Sequence, residues 1–574
     1  MTLQGWLQIV LFAVLTTAIV KPLGWYMANI ADASRPMWRP LAALECGLYR
    51  LLRVDPQKEQ DWKTYAFAVL WFHVAGIVML YALQRLQPAM PFNPQRFGAV
   101  EPILSLNTAV SFVTNTSWQS YAGETTLSYF TQMAGITVQS FLSCATGIAV
   151  AFALVRGLAR HGVNTIGNFW ADLTRVTLYL LIPVCVAGAL FLIWQGVPQT
   201  VAPYAHAATL DGAQQVVALG PVASQEAIKL LGGDGGGFFN ANSAHPFEDP
   251  TALTGFVEML LIFLVGAALT NTFGRMVGDQ RQGWVLFAAM GVLFLAGLAI
   301  VYANETAARP AFSAVAIDQS ASPLQSGGNM EGKEVRFGPA QSALFATVST
   351  ASSDGAVDSM HDSFMPLSGL VLMANMMLDE VIVGGPGSGL FSMLLFVIVA
   401  VFIAGLMIGR TPEYLGNKIE GNEVKMAMLA LLIVPAFILG LPAVGAVVAP
   451  GIAGLNNGGP HGFSEMLYAY TSGAATNGSA FSGLNANSPF YNLTLAAAMF
   501  AGRLLVIVPV LCIAGTLAAK RRVPVSAGTL PTHGLLFAMF LVSTIVIVGG
   551  LTFFPALVLG PVAEHLAMLR GASY

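Results

Sequence analysis

The chain has 574 residues, of which 55% are hydrophobic and only 10% charged, and its mean hydropathy is +0.68. A soluble globular domain carries about 25% charged residues, so this composition excludes one and calls for an all-α polytopic membrane protein in contact with lipid. The net charge of −3 says little, because membrane proteins distribute charge by side, and no nucleic-acid partner is expected.

The first apolar segment, 3–28, has no basic flank before it and runs past the length of a signal-peptide core. It reads as a first span and not as a cleaved leader. A crossing needs about 20 mostly apolar residues. By that rule further spans are expected at 64–86, 128–155, 175–195, 253–272, 284–303, 366–408, 425–449, 494–518 and 534–558, ten in all. Four small, polar stretches interrupt this series: Thr114-Asn-Thr-Ser-Trp-Gln119, Gly232-Gly-Asp-Gly-Gly-Gly-Phe238, Ser352-Ser-Asp-Gly-Ala-Val357 and Ala475-Thr-Asn-Gly-Ser479. They lie between spans 2 and 3, 4 and 5, 6 and 7, and 8 and 9. With Ser117, Gly235, Gly355 and Gly478 as markers, the intervals are 118, 120 and 123 residues.

Each stretch follows a moderately apolar segment too short to cross: 104–113, 224–231, 339–348 and 463–470. These read as pore helices that enter the membrane and stop near its middle. A fourfold repeat of span, pore helix, loop and span lets one chain build a pseudo-fourfold pore. Its loops meet on the axis and offer backbone carbonyls to a dehydrated cation. Glycines in the loops permit positive φ, so that successive carbonyls can face the same way. The expected organisation is an extra span and loop at 1–63, repeats at 64–160, 161–275, 276–415 and 416–520, and an extra last span at 521–574. Of the 26 Lys and Arg, 17 fall in connections on the side opposite the loops, from Arg35 to Arg522. The positive-inside rule then puts the four loops and both termini outside the cytoplasm.

The segment 366–408 is too long for one crossing. It contains Asp379, Glu380 and the glycine-rich run 384–389. Such a break is tolerated at membrane depth only where it is buried in protein or lines a wet cavity. Residues 384–389, with Gly384, Gly385, Gly387 and Gly389, are expected to form a non-helical gate below the loops. Repeats 2 and 4 share Asn240-Ala-Asn-Ser243 and Asn485-Ala-Asn-Ser488, and Glu258 and Arg503 each fall 18 residues after the first Asn. Both are ionisable residues in apolar spans, where charge is costly and usually paired or functional. Glu380 or Glu258 is the expected carboxylate partner of Arg503.

Other chemistry is not signalled. Cys46, Cys144, Cys185 and Cys512 show no paired spacing. The glycine runs lack the Gly-Lys-Ser/Thr ending of a phosphate-binding loop, and no Asp-Lys-Thr-Gly sequence offers a phosphorylation site, so the chain has no means of using ATP. His245, His361 and His461 lie near the loops without a metal-ligand spacing, and no cofactor or resident metal is expected.

Four segments carry a family resemblance: Thr114-Asn-Thr-Ser-Trp-Gln-Ser-Tyr121, Gly235-Gly-Gly-Phe-Phe-Asn-Ala-Asn-Ser-Ala-His-Pro-Phe247, Gly355-Ala-Val-Asp-Ser-Met-His-Asp-Ser363 and Arg410-Thr-Pro-Glu-Tyr-Leu-Gly-Asn-Lys418. They resemble the A subunit of the Kdp potassium-transporting ATPase, essentially end to end. The resemblance implies a potassium-selective, non-catalytic transport subunit in the bacterial inner membrane, built from four membrane–pore–membrane repeats. It implies partners: a P-type ATPase catalytic subunit, a C subunit and a small single-span subunit. It implies K+ entry from outside and sideways passage through an intersubunit tunnel to the ATPase subunit. By motif position the filter carbonyls come from Asn115 and Thr116, Gly233 and Asp234, Ser353 and Asp354, and Thr476 and Asn477. Gly235, Gly355 and Gly478 are the accompanying glycines, and Gln119, Glu380 and Arg503 lie beneath the filter. Family members usually carry Asn at the place of Asp234 and Cys at the place of Asp354. A self-standing potassium channel or symporter of the same superfamily is the alternative. A secondary transporter with inverted repeats fits poorly, because the four loops share one side.

Overall fold

The computed structural model describes residues 2–32, 39–310, 312, 317–378, 380–524 and 529–571. Arg35 and Asp379 lie outside them. Among the described residues ten helices are long and apolar enough to cross a membrane: span 1 Leu3–Asp32, span 2 Trp62–Ala89, span 3 Thr131–Ala159, span 4 Phe169–Gln195, span 5 Ala252–Met276, span 6 Gln280–Glu305, span 7 Ser388–Met407, span 8 Gly421–Gly445, span 9 Pro489–Ala519 and span 10 Leu535–Leu569. In lipid every backbone amide must be satisfied within the segment, which a helix does and an open strand does not. Several spans start on a side-chain cap. The Asp61 carboxylate accepts from Thr64 N at 3.1 Å, and Thr251 Oγ1 accepts from Thr254 N at 3.1 Å.

The four pore helices are Pro102–Val113, Val222–Gly232, Gly338–Ala351 and Gly459–Ala474, each a little longer than the sequence suggests. Pro102, Pro339 and Pro460 sit in the first turn of three of them, where a missing N–H costs nothing. The second membrane element of each repeat packs on the pore helix of the next. Span 3 lies on pore helix 2, span 5 on pore helix 3, the short helix Pro366–Met377 on pore helix 4, and span 9 on pore helix 1. That cyclic order closes a ring of four repeats around one axis. Small residues bring the ring together. Gly157 of span 3 meets the backbone of span 9 so closely that a Cβ would lie 2.6 Å from Ala514 Cα.

Spans 1 and 10 stand outside the ring. Span 1 runs along span 5, and span 10 packs on spans 6 and 7, its final turns reaching pore helix 4. The outer faces of the spans carry exposed Phe67, Trp71, Leu551 and Phe554, which lipid would cover. The small sheet content stays outside the apolar spans. One antiparallel hairpin pairs Ala205–Ala208 with Gln214–Val217 on the loop side, with Ala205 opposite Val217.

Seventh in the series, the expected single segment 366–408 is two helices, Pro366–Met377 and Ser388–Ile408, with a non-helical break between them. The described residues of the break are 378 and 380–387, a longer stretch than the expected 384–389. Gly389 belongs to the second helix.

On the face opposite the loops, one buried ion pair fastens four spans. Arg156 Nη1 and Nη2 meet Asp172 Oδ2 and Oδ1 at 2.6 and 2.7 Å, Tyr65 Oη donates to Asp172 Oδ2 at 3.1 Å, and Arg156 Nη2 donates to Ala31 O of span 1 at 2.9 Å. Breaking a buried pair strands a charge at a cost of about 3–5 kcal/mol, whereas an exposed pair is worth about 0–1 kcal/mol. Asp172→Ala is therefore expected to lower stability by several kcal/mol in graded SDS unfolding. Glu59→Gln, which removes the half-exposed partner of Arg160, is expected to change it by less than about 1 kcal/mol.

Candidate ion filter

The four polar stretches meet at the centre of the ring, immediately after the C-termini of the pore helices. Those C-termini carry roughly half a negative charge each from the aligned peptide dipoles, and they converge on the same space. The first residue of each strand adopts the left-handed conformation: φ is +62° at Asn115, +56° at Gly233, +59° at Ser353 and +52° at Thr476. Three of these four are not glycine. Such a conformation costs about 1–3 kcal/mol and persists only where the surroundings impose it. Its recurrence at one equivalent position in all four repeats is the structural signature of the site.

Neighbouring strands hold one another in place. Asn115 Nδ2 donates to Gly233 O at 2.7 Å, and Gly355 N donates to Asp234 O at 3.0 Å. Asn477 Nδ2 donates to Asp354 O at 3.2 Å, and Ser353 Oγ donates to Thr476 O at 2.9 Å. Gly478 closes the ring on repeat 1, since a Cβ there would overlap Thr116 O. Of the eight expected filter carbonyls, those of Gly233, Asp234, Asp354 and Thr476 thus accept hydrogen bonds from an adjacent strand. Those of Asn115, Thr116, Ser353 and Asn477 accept none among the described residues. A carbonyl has two lone pairs, so those of Gly233, Asp234 and Thr476 keep one, whereas Asp354 O also accepts from Ser349 Oγ. The filter glycines act by proximity more than by φ. Only Gly478 has positive φ (+95°), while a Cβ on Gly235 would lie 2.6 Å from Gly355 Cα.

Asp234 and Asp354 are fully buried beside the strands. Asp234 Oδ1 accepts from Ser117 Oγ at 3.2 Å and Asp354 Oδ1 from Ala356 N at 2.8 Å, and the second oxygen of each has no hydrogen-bond partner among the described residues.

Above the strands opens a vestibule of about 330 Å3, bordered by Ser117, Gln119, Tyr121, Gly236, Asn240, Gly478 and Asn485. Gln119 is therefore not beneath the filter. The chain runs upward through the strand, and two residues past Ser117 it has entered the vestibule, where Gln119 Nε2 donates to Tyr121 Oη and Gly237 O, both at 3.1 Å. The wall behind repeat 2 rests on Lys229, a buried cation of pore helix 2 that carried no signal in the sequence. Its Nζ meets Glu226 at 2.7 Å, Glu248 at 3.1 Å and Asn242 Oδ1 at 2.8 Å. Glu248 in turn accepts from Phe239 N at 2.8 Å and fixes the loop after the strand. Burial pushes the carboxyl of Asp358, in the loop after strand 3, up to about 7.

Glu380 and Arg503 do lie on the inner side, but not in contact. Glu380 Oε1 accepts from Ser353 Oγ at 2.6 Å and Thr476 Oγ1 at 2.7 Å, tying the inner ends of strands 3 and 4. Span 9 widens into a π-helical turn over Ala501–Leu505, and from it Arg503 Nη2 donates to Ser143 O of span 3 at 3.1 Å. No ion pair joins the two, so the expected Arg503–Glu380 pair is not formed. Glu258 is further away still. Span 5 begins at Ala252 and span 9 at Pro489, so Glu258 is the seventh residue of its span and Arg503 the fifteenth. Equal counting from the Asn motifs misaligns them because the connecting segments differ in length. Glu258 lies buried near the loop end of span 5, and neither of its carboxylate oxygens has a hydrogen-bond partner among the described residues.

The break at 378–387 fills the space directly beneath. Gly384 N donates to Ala351 O at the end of pore helix 3 (3.0 Å), a Cβ on Gly147 of span 3 would lie 2.5 Å from Pro386 O, and one on Gly266 of span 5 would lie 2.6 Å from Gly384 O. Pro386 also abuts Gly233, and a Cβ on Gly385 would lie 3.4 Å from Ser353 Cβ. The break thus touches strands 2 and 3 and the spans on either side.

Residues 10–566 match the family described as the potassium-transporting ATPase A subunit. The chain is 59% identical over its whole length to the potassium-transporting ATPase potassium-binding subunit of Methylobacterium nodulans, covering 99% of that protein. It is 58% identical to the protein of the same name from Bradyrhizobium diazoefficiens, with both chains covered completely. The fold is similar to the potassium transporter TrkH from Vibrio parahaemolyticus, with a TM-score of 0.50 over 85% of this chain and 97% of that one at 13% identity. Ten apolar helices, four pore helices and a match over nearly the whole chain agree on one conclusion: this protein belongs to the potassium-transporting ATPase A subunit family.

Proposed function

We propose that the four central strands form a potassium filter, that Asn115, Thr116, Gly233, Asp234, Ser353, Asp354, Thr476 and Asn477 supply its carbonyls, and that the break at 378–387 is a gate beneath it. The chain is the potassium-binding transport subunit of an ATP-driven uptake complex, and ATP hydrolysis belongs to a partner subunit. The observation that carries the filter assignment is the recurrence of one left-handed residue at the same place in each of four mutually bonded strands. Carbonyls held this way replace the hydration shell of a monovalent ion without presenting a fixed charge that would trap it.

The rest of the reading follows from charge and from the family. The basic connections face the cytoplasm and the vestibule faces outward, so both termini are extracytoplasmic and the membrane is the bacterial inner membrane. A P-type ATPase subunit, a C subunit and a small single-span subunit complete the complex. Potassium that has passed the strands meets the buried break. Its onward route is therefore sideways, between spans, toward the ATPase subunit. Arg503, a cation below strand 2, repels ions there and keeps them from settling. Glu380 holds the inner ends of strands 3 and 4 level.

Gly235→Asp is expected to lower discrimination of potassium and rubidium over sodium by at least ~10-fold, because its Cβ alone would drive Gly355 away. Transport-coupled ATPase activity of the assembled complex against each cation reads this directly, and unchanged relative affinities would count against the filter. Deleting residues 385–387 is expected to turn the complex into a passive leak, seen as rubidium flux into proteoliposomes without ATP. A deletion variant that assembles and stays as tight as the parent contradicts the gate. Glu380→Ala removes a charge-assisted acceptor from two hydroxyls, each bond worth about 1.5–3 kcal/mol. It is expected to weaken apparent potassium affinity ~10-fold or more, while Glu380→Gln, which keeps an acceptor oxygen, retains most of it. Equal defects in the two variants would show that Glu380 acts by charge and not by holding the strands.

A further inference from the structure

One cluster beside the vestibule has ligand chemistry that the filter does not use. His461 in the first turn of pore helix 4, Glu465 one turn further along the same helix, and Asp362 in the short turn His361–Ser363 after strand 3 place three donor atoms within 4.8 Å of one another. His461 and Glu465 are buried, and the Asp362 side chain is 14% exposed. We propose that Asp362, His461 and Glu465 bind one divalent transition-metal ion, zinc above all, in the wall of the vestibule.

The donor set is one imidazole nitrogen and two carboxylate oxygens. That combination suits zinc better than the all-oxygen ions magnesium and calcium, and better than copper(I), which favours sulfur. Three protein ligands with a fourth position left to water is a common zinc arrangement. Ligand atoms around 2.0–2.2 Å from one ion lie roughly 3–4 Å apart. His461 Nε2 and Asp362 Oδ1 are already 3.1 Å apart, so only small side-chain rotations are needed.

A second, independent feature points the same way. The other ring nitrogen of His461 is held from behind by a carboxylate: Nδ1 lies 2.9 Å from Glu564 Oε1, and Glu564 Oε2 accepts from Ser464 Oγ at 3.3 Å. A carboxylate on the far nitrogen fixes the ring of a metal-binding histidine and raises its basicity. Here that carboxylate comes from the final turns of span 10, about 100 residues away in sequence. Glu465 is positioned likewise, its Oε1 accepting from Asn457 Nδ2 at 2.7 Å and its Oε2 from Asn456 N at 3.1 Å. The cluster is open where a side chain would block it. A Cβ on Gly483 would lie 2.6 Å from Asp362 Oδ1 and would crowd Glu465 Oε1 as well.

Charge and access complete the case. Three carboxylates surround one imidazole, and the nearby cation Arg309 is already paired with Glu331. A dication relieves that excess. Glu465 borders the vestibule, so an ion arriving there reaches the site without entering the strands. Without metal the ring nitrogens face Asp362 and Glu564, and zinc takes the place beside Nε2 that Asp362 now faces. Once bound, the ion ties the segment after strand 3 to pore helix 4 and, through Glu564, to span 10.

The test uses the intact complex, stripped with a chelator and dialysed against Zn2+ at fixed potassium, with bound metal counted by mass spectrometry. One saturable zinc per chain is expected. Binding should be lost in His461→Gln and weakened about 10-fold or more in Glu564→Gln, and His206→Gln on the exposed hairpin should leave it unchanged. The zinc absorption edge of the wild-type complex should show one imidazole and oxygen ligands. A wild type that binds no zinc saturably overturns the site and leaves His461 as the centre of a structural ion-pair cluster. So does a His461→Gln complex with undiminished zinc, or, should the variants fail to assemble, a wild-type spectrum without imidazole.

Discussion

A cation leaves water only where oxygens stand ready at the distances its hydration shell provided, and everything in this fold serves to hold such oxygens still. Backbone carbonyls are fixed only if the backbone is. The strands here are short, strained and without regular secondary structure. They are stable because each is bonded to its neighbour and backed by a buried pore helix. The three non-glycine left-handed residues, Asn115, Ser353 and Thr476, cost about 1–3 kcal/mol each, and the bonds from Asn115, Gly355, Asn477 and Ser353 to adjacent carbonyls offset that cost. The close approach of Gly235 to Gly355, and of Gly478 to Thr116, follows from the same need.

The repeats are similar in plan and different in chemistry. Only repeat 3 breaks its second membrane element, and the broken segment fills the space under strands 2 and 3. Repeat 4 carries Arg503, bonded to span 3 across the ring. A fully symmetric pore would conduct straight through. On the reading proposed above, one blocked floor and one fixed cation would bias the ion toward a side exit. A transport subunit that relies on a partner for energy needs that bias, because a straight path would let accumulated potassium run back.

Much of this was legible in the sequence because it is local. Spans show as apolar runs, pore helices as shorter ones, and filter strands as polar interruptions at nearly constant spacing. The break in the seventh segment showed as excess length and glycine, although its extent ran back to 378. What could not be read depends on contacts between distant segments or on which way a chain turns. Gln119 reads as beneath the filter until the direction of strand 1 places it in the vestibule. Arg503 invites a carboxylate partner, yet its guanidinium finds the Ser143 carbonyl 360 residues away in sequence, and Glu380 is taken by two hydroxyls. Lys229 has Glu226 at i,i+3 and His461 has Glu465 at i,i+4, but the partners that complete each cluster, Glu248, Asn242, Asp362 and Glu564, come from loops and from span 10, which no spacing rule joins. The equation of Glu258 with Arg503 failed because equal counts span unequal connections.

The central claim is that potassium is bound by carbonyls of all four strands at once. The most direct measurement is anomalous scattering from the complex crystallised in rubidium in place of potassium. The account predicts density on the axis, between Asn115–Thr116, 233–234, 353–354 and Thr476–Asn477, flanked by oxygens of every repeat and absent in Gly235→Asp. Rubidium held instead by the carboxylates of Asp234 or Asp354 off the axis, or no ion among the strands at all, would contradict it.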